Sequence, residues 1–272
     1  MSIILNGIQH QTPNLKTVSW LDPEAQSMKI KEVTDKNNRY TWLRGIVCHT
    51  VHGILGNLLP GIGPNTNLDE KYASYQVNTT RDVSWDFTCD LNGEWIIQND
   101  PLKYFTWHAT SVNPHTCGFE FIQKDNGDLY QGQVQKAVEF IDLLTAKLGI
   151  QRQIPWNFID NKPNLKPIYR IAGPNHGKDV VGIYNHSNQT ANKGPGDCGP
   201  WLPQALKEAG YELYNFDNSD DVIAWKKRQK NILGFTDLEA DGVPGPKTVR
   251  ALKDKGYTNG MFIQRPIDSL IG

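Results

Sequence analysis

The chain has 272 residues and a formal net charge of −1, because 28 Lys and Arg stand against 29 Asp and Glu. Its 38% apolar and 21% charged residues are typical of a folded globular protein and exclude a disordered one. The balanced charge argues against nucleic-acid binding, which usually needs a basic excess. No apolar run approaches the ~20 residues of a transmembrane helix. At roughly 150 residues per domain, the length suits one large domain and a small one, or two of modest size.

The N-terminus and the cysteines indicate in which cellular compartment the protein is made. No basic segment precedes the short apolar run before Asn6, so we expect no secretory signal peptide. The four cysteines are widely spaced and include no Cys-x-x-Cys pair. We therefore expect reduced thiols in a protein made in the cytoplasm.

The first half of the chain gives three element predictions. Residues 1–40 are polar and broken by Pro13 and Pro23, which predicts an irregular lead-in with at most a short helix. The apolar run at 45–49 predicts a buried strand that ends on His49. Residues 52–68 are rich in Gly, Pro and Asn, which predicts a long loop, and such loops are often functional.

Further along, the pattern is that of an α/β domain. Strand-like runs at 85–89 and 94–98 flank an Asn-Gly pair, which predicts a hairpin, and a third strand is expected at 117–122. Apolar residues spaced by three and four from Val134 to Leu148 predict an amphipathic helix that Gly149 ends.

The C-terminal part of the chain completes the domain organisation. The run at 180–184 predicts a late strand, and a polar stretch at 217–221 marks a domain boundary. We place an α/β domain at 41–215 and a small all-α helical domain at 220–272.

Several potential metal ligands occupy strand ends and loops. His49 ends the first core strand, His186 follows the late strand, and a Gly- and Pro-rich loop leads to Asp197 and Cys198. A catalytic zinc needs three protein ligands and one open position, which strand ends and loops supply well. A single histidine would more often be an ordinary core or surface residue, so only the combination is informative.

The order of these motifs resembles a known family. A strand ending in His49 is followed by a hairpin, Trp-His-Ala at 107–109, Gly-Phe-Glu at 118–120, an amphipathic helix, His186, and Asp-Cys-Gly-Pro at 197–200. This order is similar to that of the type-2 N-acetylmuramoyl-L-alanine amidases, the zinc enzymes related to T7 lysozyme, AmpD and the peptidoglycan-recognition proteins. The resemblance covers residues 40–210 and implies a mixed central sheet flanked by helices.

The resemblance implies one zinc ion per chain, held by His49, His186 and a third ligand. The family places an Asp or Cys in the third position, and Asp197 fits the aspartate register with Cys198 in place of a proline. Because thiolate is the softer and stronger zinc ligand, Cys198 stays a rival to Asp197.

Two catalytic residues and part of a substrate groove follow from the same resemblance. The family has a catalytic Glu or Tyr in a Gly-x-Glu strand, and Glu120 matches it. A Glu between two Phe is costly to bury without a purpose, and the alternative is a Glu on an edge strand that points to solvent. Apolar surroundings would raise the pKa of Glu120, as a general base requires. Lys193 is the candidate oxyanion stabiliser, although it precedes Asp197 by four residues where the family spacing is two. Trp107 and His108 are expected to line the groove.

The C-terminal segment resembles a second cell-wall module. Its helix–turn–helix pattern matches the Asp-Gly-x-x-Gly-x-x-Thr turn of peptidoglycan-binding repeats through a small set of residues. These are Asp241, Gly242, Gly245 and Thr248. The alternative is a helical cap on the first domain.

Together the two resemblances imply a peptidoglycan amidase of the phage-endolysin type. We expect a monomer that hydrolyses the amide between N-acetylmuramic acid and L-alanine, with peptidoglycan as its partner and no nucleic acid or membrane span. It would be made in the host cytoplasm and act on the wall after release. The alternatives are a non-catalytic peptidoglycan-recognition protein, which would lack the metal, and a muramidase, which would use paired carboxylates.

Overall fold

The computed structural model describes most of the chain up to residue 213. The described residues are 2–5, 8–12, 14–32, 37–38, 43–52, 55–102, 104–154, 158–159, 162–163, 182–188 and 198–213. The domain predicted at 220–272 lies outside them, as do Lys193 and Asp197. Its boundaries therefore stay predictions.

The described residues form an α/β structure with sixteen strands and four α-helices. The strands are β1 Ser2–Leu5, β2 Ile8–Gln11, β3 Lys16–Ser19, β4 Asn37–Asn38, β5 Gly45–Thr50, β6 Leu58–Leu59, β7 Phe87–Cys89, β8 Trp95–Gln98, β9 Tyr104–Phe105, β10 Thr116–Phe121, β11 Leu129–Tyr130, β12 Gln153–Ile154, β13 Phe158–Ile159, β14 Lys162–Pro163, β15 Gly182–Asn185 and β16 Glu212–Leu213. The helices are α1 Pro23–Met28, α2 Leu68–Asn78, α3 Gln131–Leu148 and α4 Trp201–Glu208. Short 3-10 turns occupy Thr110–His115 and His186–Asn188.

Six strands form the central sheet, in the order β15-β5-β10-β7-β8-β3. Strands β7 and β8 pair antiparallel, whereas the other neighbouring pairs are parallel. The expected mixed sheet is thus confirmed, and so is the hairpin: its turn contains Gly93 at φ +70°, a left-handed conformation that glycine adopts without strain.

Helices cover both faces of this sheet. Helix α3 packs its apolar stripe on one face, where Phe140 makes edge contacts with Phe87 and Phe119 at centroid distances of 5.0 and 5.3 Å. Helix α4 extends the same core through Leu202 and Leu206. The sequence predicted α3 correctly, because its apolar residues recur at helical spacing and Gly149 ends it at φ +64°.

The N-terminal residues are more ordered than the sequence analysis expected. Strands β1 and β2 pair antiparallel, and β3 joins the central sheet beside β8. The buried side chain of Gln98 holds β1: its Oε1 accepts from the amide of Ile4 at 2.8 Å, and its Nε2 donates to the carbonyl of Ile4 at 2.9 Å. The prediction of an irregular lead-in is therefore wrong for strands β1 and β3, which form main-chain ladders with β2 and β8. The short helix that it allowed is present as α1.

Helix α2 is a second element that the sequence analysis missed. It packs on the opposite face of the sheet from α3, where Ala73 joins a small apolar cluster with Ile97. Its other buried residues are Asp69 and Gln76, which are polar, so the usual apolar periodicity is absent. Gln76 anchors the helix by accepting from the amide of Trp85 at 2.7 Å and donating to Asn99 at 3.0 Å.

All four cysteines lie in the described part of the chain, where they are buried and form no disulfide. None of the described helices is long and apolar enough to cross a membrane.

The buried Asp69 of helix α2 makes the stability of the folded protein depend on pH. Burial, together with the nearby Asp90 carboxylate, raises the pKa of Asp69 to about 8. One carboxylate oxygen accepts from the amide of Glu70, and the other has no hydrogen-bond partner in the described structure. The folded protein therefore binds a proton at Asp69 that the unfolded chain, with an ordinary aspartate pKa near 4, releases.

We predict that unfolding free energy falls as pH rises from about 4 to about 8, and that Asp69→Asn removes part of this fall. The amide cannot ionise, so the variant should be more stable than wild type above pH 8. Urea midpoints at pH 5 and pH 8.5 measure the effect. Asp82→Asn, at an exposed carboxylate, is the matched control. A wild-type pH slope retained by Asp69→Asn would contradict the assignment.

Candidate active site

The site begins with His49 and Glu120, which lie on neighbouring parallel strands. The register pairs them directly, and strands in a sheet are about 4.8 Å apart. Residues on either side of them, such as Cys48, Phe119 and Phe121, are fully buried in the α3-side core. Since side chains alternate along a strand, His49 and Glu120 share the other face, the one that α2 covers.

His186 extends this row on the other side of His49. Strand β15 runs parallel to β5 with Asn185 opposite Cys48, and His186 follows immediately. The rings of His49 and His186 meet edge to face, with centroids 4.8 Å apart. Three side chains, two on parallel strands and one directly after a third, therefore lie together at the carboxyl ends of these strands, the usual position of sites in α/β folds.

His108 approaches the same row from a loop. Its Nδ1 lies 3.2 Å from Nε2 of His49, and its Nε2 lies 3.2 Å from Oγ1 of Thr116. The Thr116 hydroxyl donates in turn to the carbonyl of Val112 at 2.9 Å. A continuous hydrogen-bond chain thus runs from the main chain to the ring of His49.

Neighbouring polar groups hold the loop that carries His108. The carboxamide oxygen of Asn113 accepts from the amides of His108 and Ala109, at 3.2 and 2.6 Å. Ser84 accepts from the amide of Trp107 at 2.9 Å. The ring of His108 packs on Gly118, where an added Cβ would lie 2.8 Å from Cγ of the imidazole. A larger residue at this position of β10 would push His108 away.

Trp107 and His108 differ in exposure. Trp107 is 39% exposed and contacts Phe105 edge to face, whereas His108 is 9% exposed and uses both ring nitrogens within the protein. Trp107 is therefore placed to offer an aromatic surface to a ligand. A role for His108 in lining the groove stays a prediction.

Cys198 lies close to the histidines. Its Sγ is 3.8 Å from the main-chain oxygen of His49, and the residue adopts a left-handed φ of +43°. Asn185 fixes this loop by donating to the carbonyl of Gly199 at 3.0 Å. The thiol is thus held beside the row of site residues.

Tyr72 is a neighbour of the site that sequence reasoning did not identify. It is half-buried on α2, and its pKa is raised by burial and by the charge of Glu120. Its position depends on a helix whose buried face is polar, so no sequence pattern indicated it.

The metal-binding potential of the described residues is partial. No cluster of three or more His, Cys, Asp or Glu side chains within them has metal-site geometry. They do supply two adjacent imidazoles, a neighbouring thiol and a nearby carboxylate, which are donor types that zinc accepts.

Comparison with solved structures finds proteins of low sequence identity. The N-acetylmuramoyl-L-alanine amidase LysC of Clostridium intestinale is 15% identical with a TM-score of 0.42, covering 73% of this chain and 99% of its own. Drosophila peptidoglycan recognition protein SD is 11% identical with a TM-score of 0.45, covering 74% and 98%. A mutant endolysin from Bacillus subtilis is 17% identical with a TM-score of 0.37, covering 78% and 98%. No curated protein matches the chain.

The family comparison is decisive by its extent. The model of the Amidase_2 family, described as N-acetylmuramoyl-L-alanine amidase, matches residues 38–197. This span is more than half of the 272 residues and contains His49, Glu120 and His186. The chain is therefore a member of the N-acetylmuramoyl-L-alanine amidase family.

Proposed function

We propose that this protein is a zinc-dependent endolysin that hydrolyses the amide between N-acetylmuramic acid and L-alanine in bacterial peptidoglycan. The observation that carries the proposal is the row formed by His186, His49 and Glu120 across three parallel strands. The imidazoles of His49 and His186 would bind the metal, and the carboxylate of Glu120 would accept and return the proton. A bound zinc ion would supply Lewis-acid stabilisation of the developing negative charge and acidify the attacking water.

For the third ligand we propose Asp197, with Cys198 as the alternative. Metal ligation by cysteine requires the thiolate, whereas the Cys198 thiol lies within donating distance of the His49 carbonyl, a contact that suits its protonated form. Asp197 directly precedes Cys198 in the sequence. Among the described residues that follow it, Gly199 is tied to the sheet, because its carbonyl accepts from Asn185.

The remaining residues perform proton transfer and binding. Glu120 takes a proton from the attacking water as oxygen adds to the amide carbonyl, and returns it to the L-alanine nitrogen as the carbon–nitrogen bond breaks. Lys193 would face the oxyanion. Trp107, with Phe105 against it, would contact the sugar or the stem peptide.

The C-terminal residues 220–272 are proposed to bind the wall through the turn at Asp241, Gly242, Gly245 and Thr248. Retention on peptidoglycan would keep the amidase near its polymeric substrate, since linked modules raise effective concentration. Synthesis in the host cytoplasm followed by release to the wall is part of the same proposal, as is a monomeric state.

The third ligand is testable by metal content. We expect about one zinc per wild-type chain by plasma mass spectrometry, and loss of most zinc and activity in His49→Ala and Asp197→Ala. Cys198→Ser should retain both, because the serine hydroxyl can still donate to the His49 carbonyl. The reverse pattern for Asp197 and Cys198 would assign the cysteine. Wild-type protein that binds sacculi but no zinc would contradict the enzyme proposal and favour a recognition protein.

Glu120→Gln tests the proton-transfer role. The amide keeps the shape of the side chain but cannot accept the proton, so we expect turnover of purified sacculi to fall by roughly 10²–10⁴-fold. Zinc content should stay at the wild-type level. Glu139→Gln, at an exposed glutamate of α3, is the control and should leave activity unchanged. The product assay also separates the reaction classes, since new L-alanine amines indicate an amidase and new reducing ends indicate a muramidase.

Wall binding by the C-terminal segment is tested by co-sedimentation. We expect Thr248→Val and a chain ending at residue 215 to bind sacculi several-fold more weakly than the full chain. Hydrolysis of small soluble muropeptides should stay near the wild-type rate in both. Equal sedimentation of all three proteins would contradict a wall-binding role and favour a structural cap.

A further inference from the structure

The hydrogen-bond chain behind His49 has a defined direction. A threonine hydroxyl has one proton, and the Thr116 hydroxyl donates it to the carbonyl of Val112, which can only accept. The contact between Thr116 Oγ1 and His108 Nε2 must then use the ring N–H as its donor. A neutral imidazole carries a single ring proton, so this contact places it on Nε2 of His108.

The direction continues to His49. With its proton on Nε2, His108 offers a lone pair at Nδ1, and the atom 3.2 Å away is Nε2 of His49. That nitrogen must be the donor, so the proton of His49 lies on Nε2 and its lone pair on Nδ1. We propose that Thr116 and His108 are positioning residues that fix this tautomer, making Nδ1 the atom that His49 offers to a metal.

The metal-binding role of Nδ1 rests on the proposed function, whereas the assignment of the tautomer rests only on the hydrogen bonds. Metal-binding histidines are commonly oriented by a hydrogen bond at the other ring nitrogen, and loss of that partner typically weakens metal affinity by about 10–100-fold. Here the partner of His49 is a second histidine, whose own tautomer is set by a main-chain carbonyl through a hydroxyl. All three side chains are buried, being 9% exposed or less.

Removing the Thr116 hydroxyl would reverse the direction of donation between His108 and His49. In Thr116→Val, the N–H at Nε2 of His108 loses its acceptor, so the proton is better placed at Nδ1, where it can donate to His49. His49 must then accept at Nε2 and carry its own proton on Nδ1. The nitrogen needed for ligation would be blocked.

The first measurement uses the metal-free full-length wild type. Long-range ¹H–¹⁵N spectra of histidine-labelled protein distinguish protonated from unprotonated ring nitrogens, and His49→Gln identifies the signals of His49. We expect Nε2 of His49 to be protonated and Nδ1 to be unprotonated. The opposite pattern would overturn the proposal without reference to zinc or activity.

The second measurement uses variants of Thr116. Thr116→Val should invert the His49 tautomer and weaken zinc binding by about 10–100-fold, and Thr116→Ser should restore both because it keeps the hydroxyl. Thr145→Val is the matched control, since that buried hydroxyl also donates to a main-chain oxygen, of Asp142 at 3.0 Å, but on α3. Wild-type tautomer and affinity in a folded Thr116→Val protein would overturn the proposal.

The two proposals can fail separately. Wild-type protein with the expected tautomer but no zinc binding would contradict the proposed function and support the assigned hydrogen-bond chain. If the protein binds zinc and is an active amidase but carries a proton on Nδ1 of His49, the assigned hydrogen-bond direction is overturned and the proposed function is supported.

Discussion

The parallel pairing of β5 with β10 and with β15 is the constraint on which the site depends. Because side chains alternate along a strand, the register that buries Cys48 and Phe119 against α3 turns His49 and Glu120 to the opposite face. A slip of one residue would exchange core and site residues on that strand. The apolar packing that stabilises the core therefore also fixes the relative positions of these polar residues along the strands.

Buried polar side chains then attach the loops to this sheet. Asp86 accepts from the amide of Gly118 at 2.6 Å and from the hydroxyl of Thr106 at 3.0 Å, joining β10 to the segment before Trp107. Asn113 holds the other end of that segment. Because an unmade hydrogen bond at a buried group costs about 1–3 kcal/mol, such contacts define one loop conformation more sharply than apolar packing alone would.

The sequence predicted those elements whose buried residues recur at regular helical or strand spacing. It did not predict elements without such a pattern. The strand ending at His49, the hairpin around Gly93 and helix α3 all carry the expected apolar spacing. Helix α2 does not, because it buries Asp69 and Gln76. Strand β1 is bonded at Ile4 by the side chain of Gln98, which comes from a distant part of the chain. A hydrogen bond between residues so far apart in sequence leaves no local pattern.

The same distinction applies to the site. His49, Glu120 and His186 could be selected from the sequence, since each stands in or directly after a strand-like run within the motif order on which the resemblance rests. The contact of His49 with His108 joins residues 59 positions apart, and its direction depends on Thr116 and the carbonyl of Val112. Only the structure shows that these groups form one chain.

Gly118 connects the hydrophobic core to the hydrogen-bond chain of His49, His108 and Thr116. A substitution at Gly118 would therefore affect both. It lies on β10 between the buried Cys117 and Phe119, so its backbone position is fixed by the sheet. The His108 ring occupies the space that a side chain at this position would need, with an added Cβ 2.8 Å from the ring and 3.1 Å from Cβ of Trp85. An alanine here would move His108 rather than the strand, because the loop is held by a few hydrogen bonds and the strand by the whole sheet. The absence of a side chain at this position, on the face of β10 that also carries Glu120, is therefore what allows a histidine from a loop to reach the ring of His49.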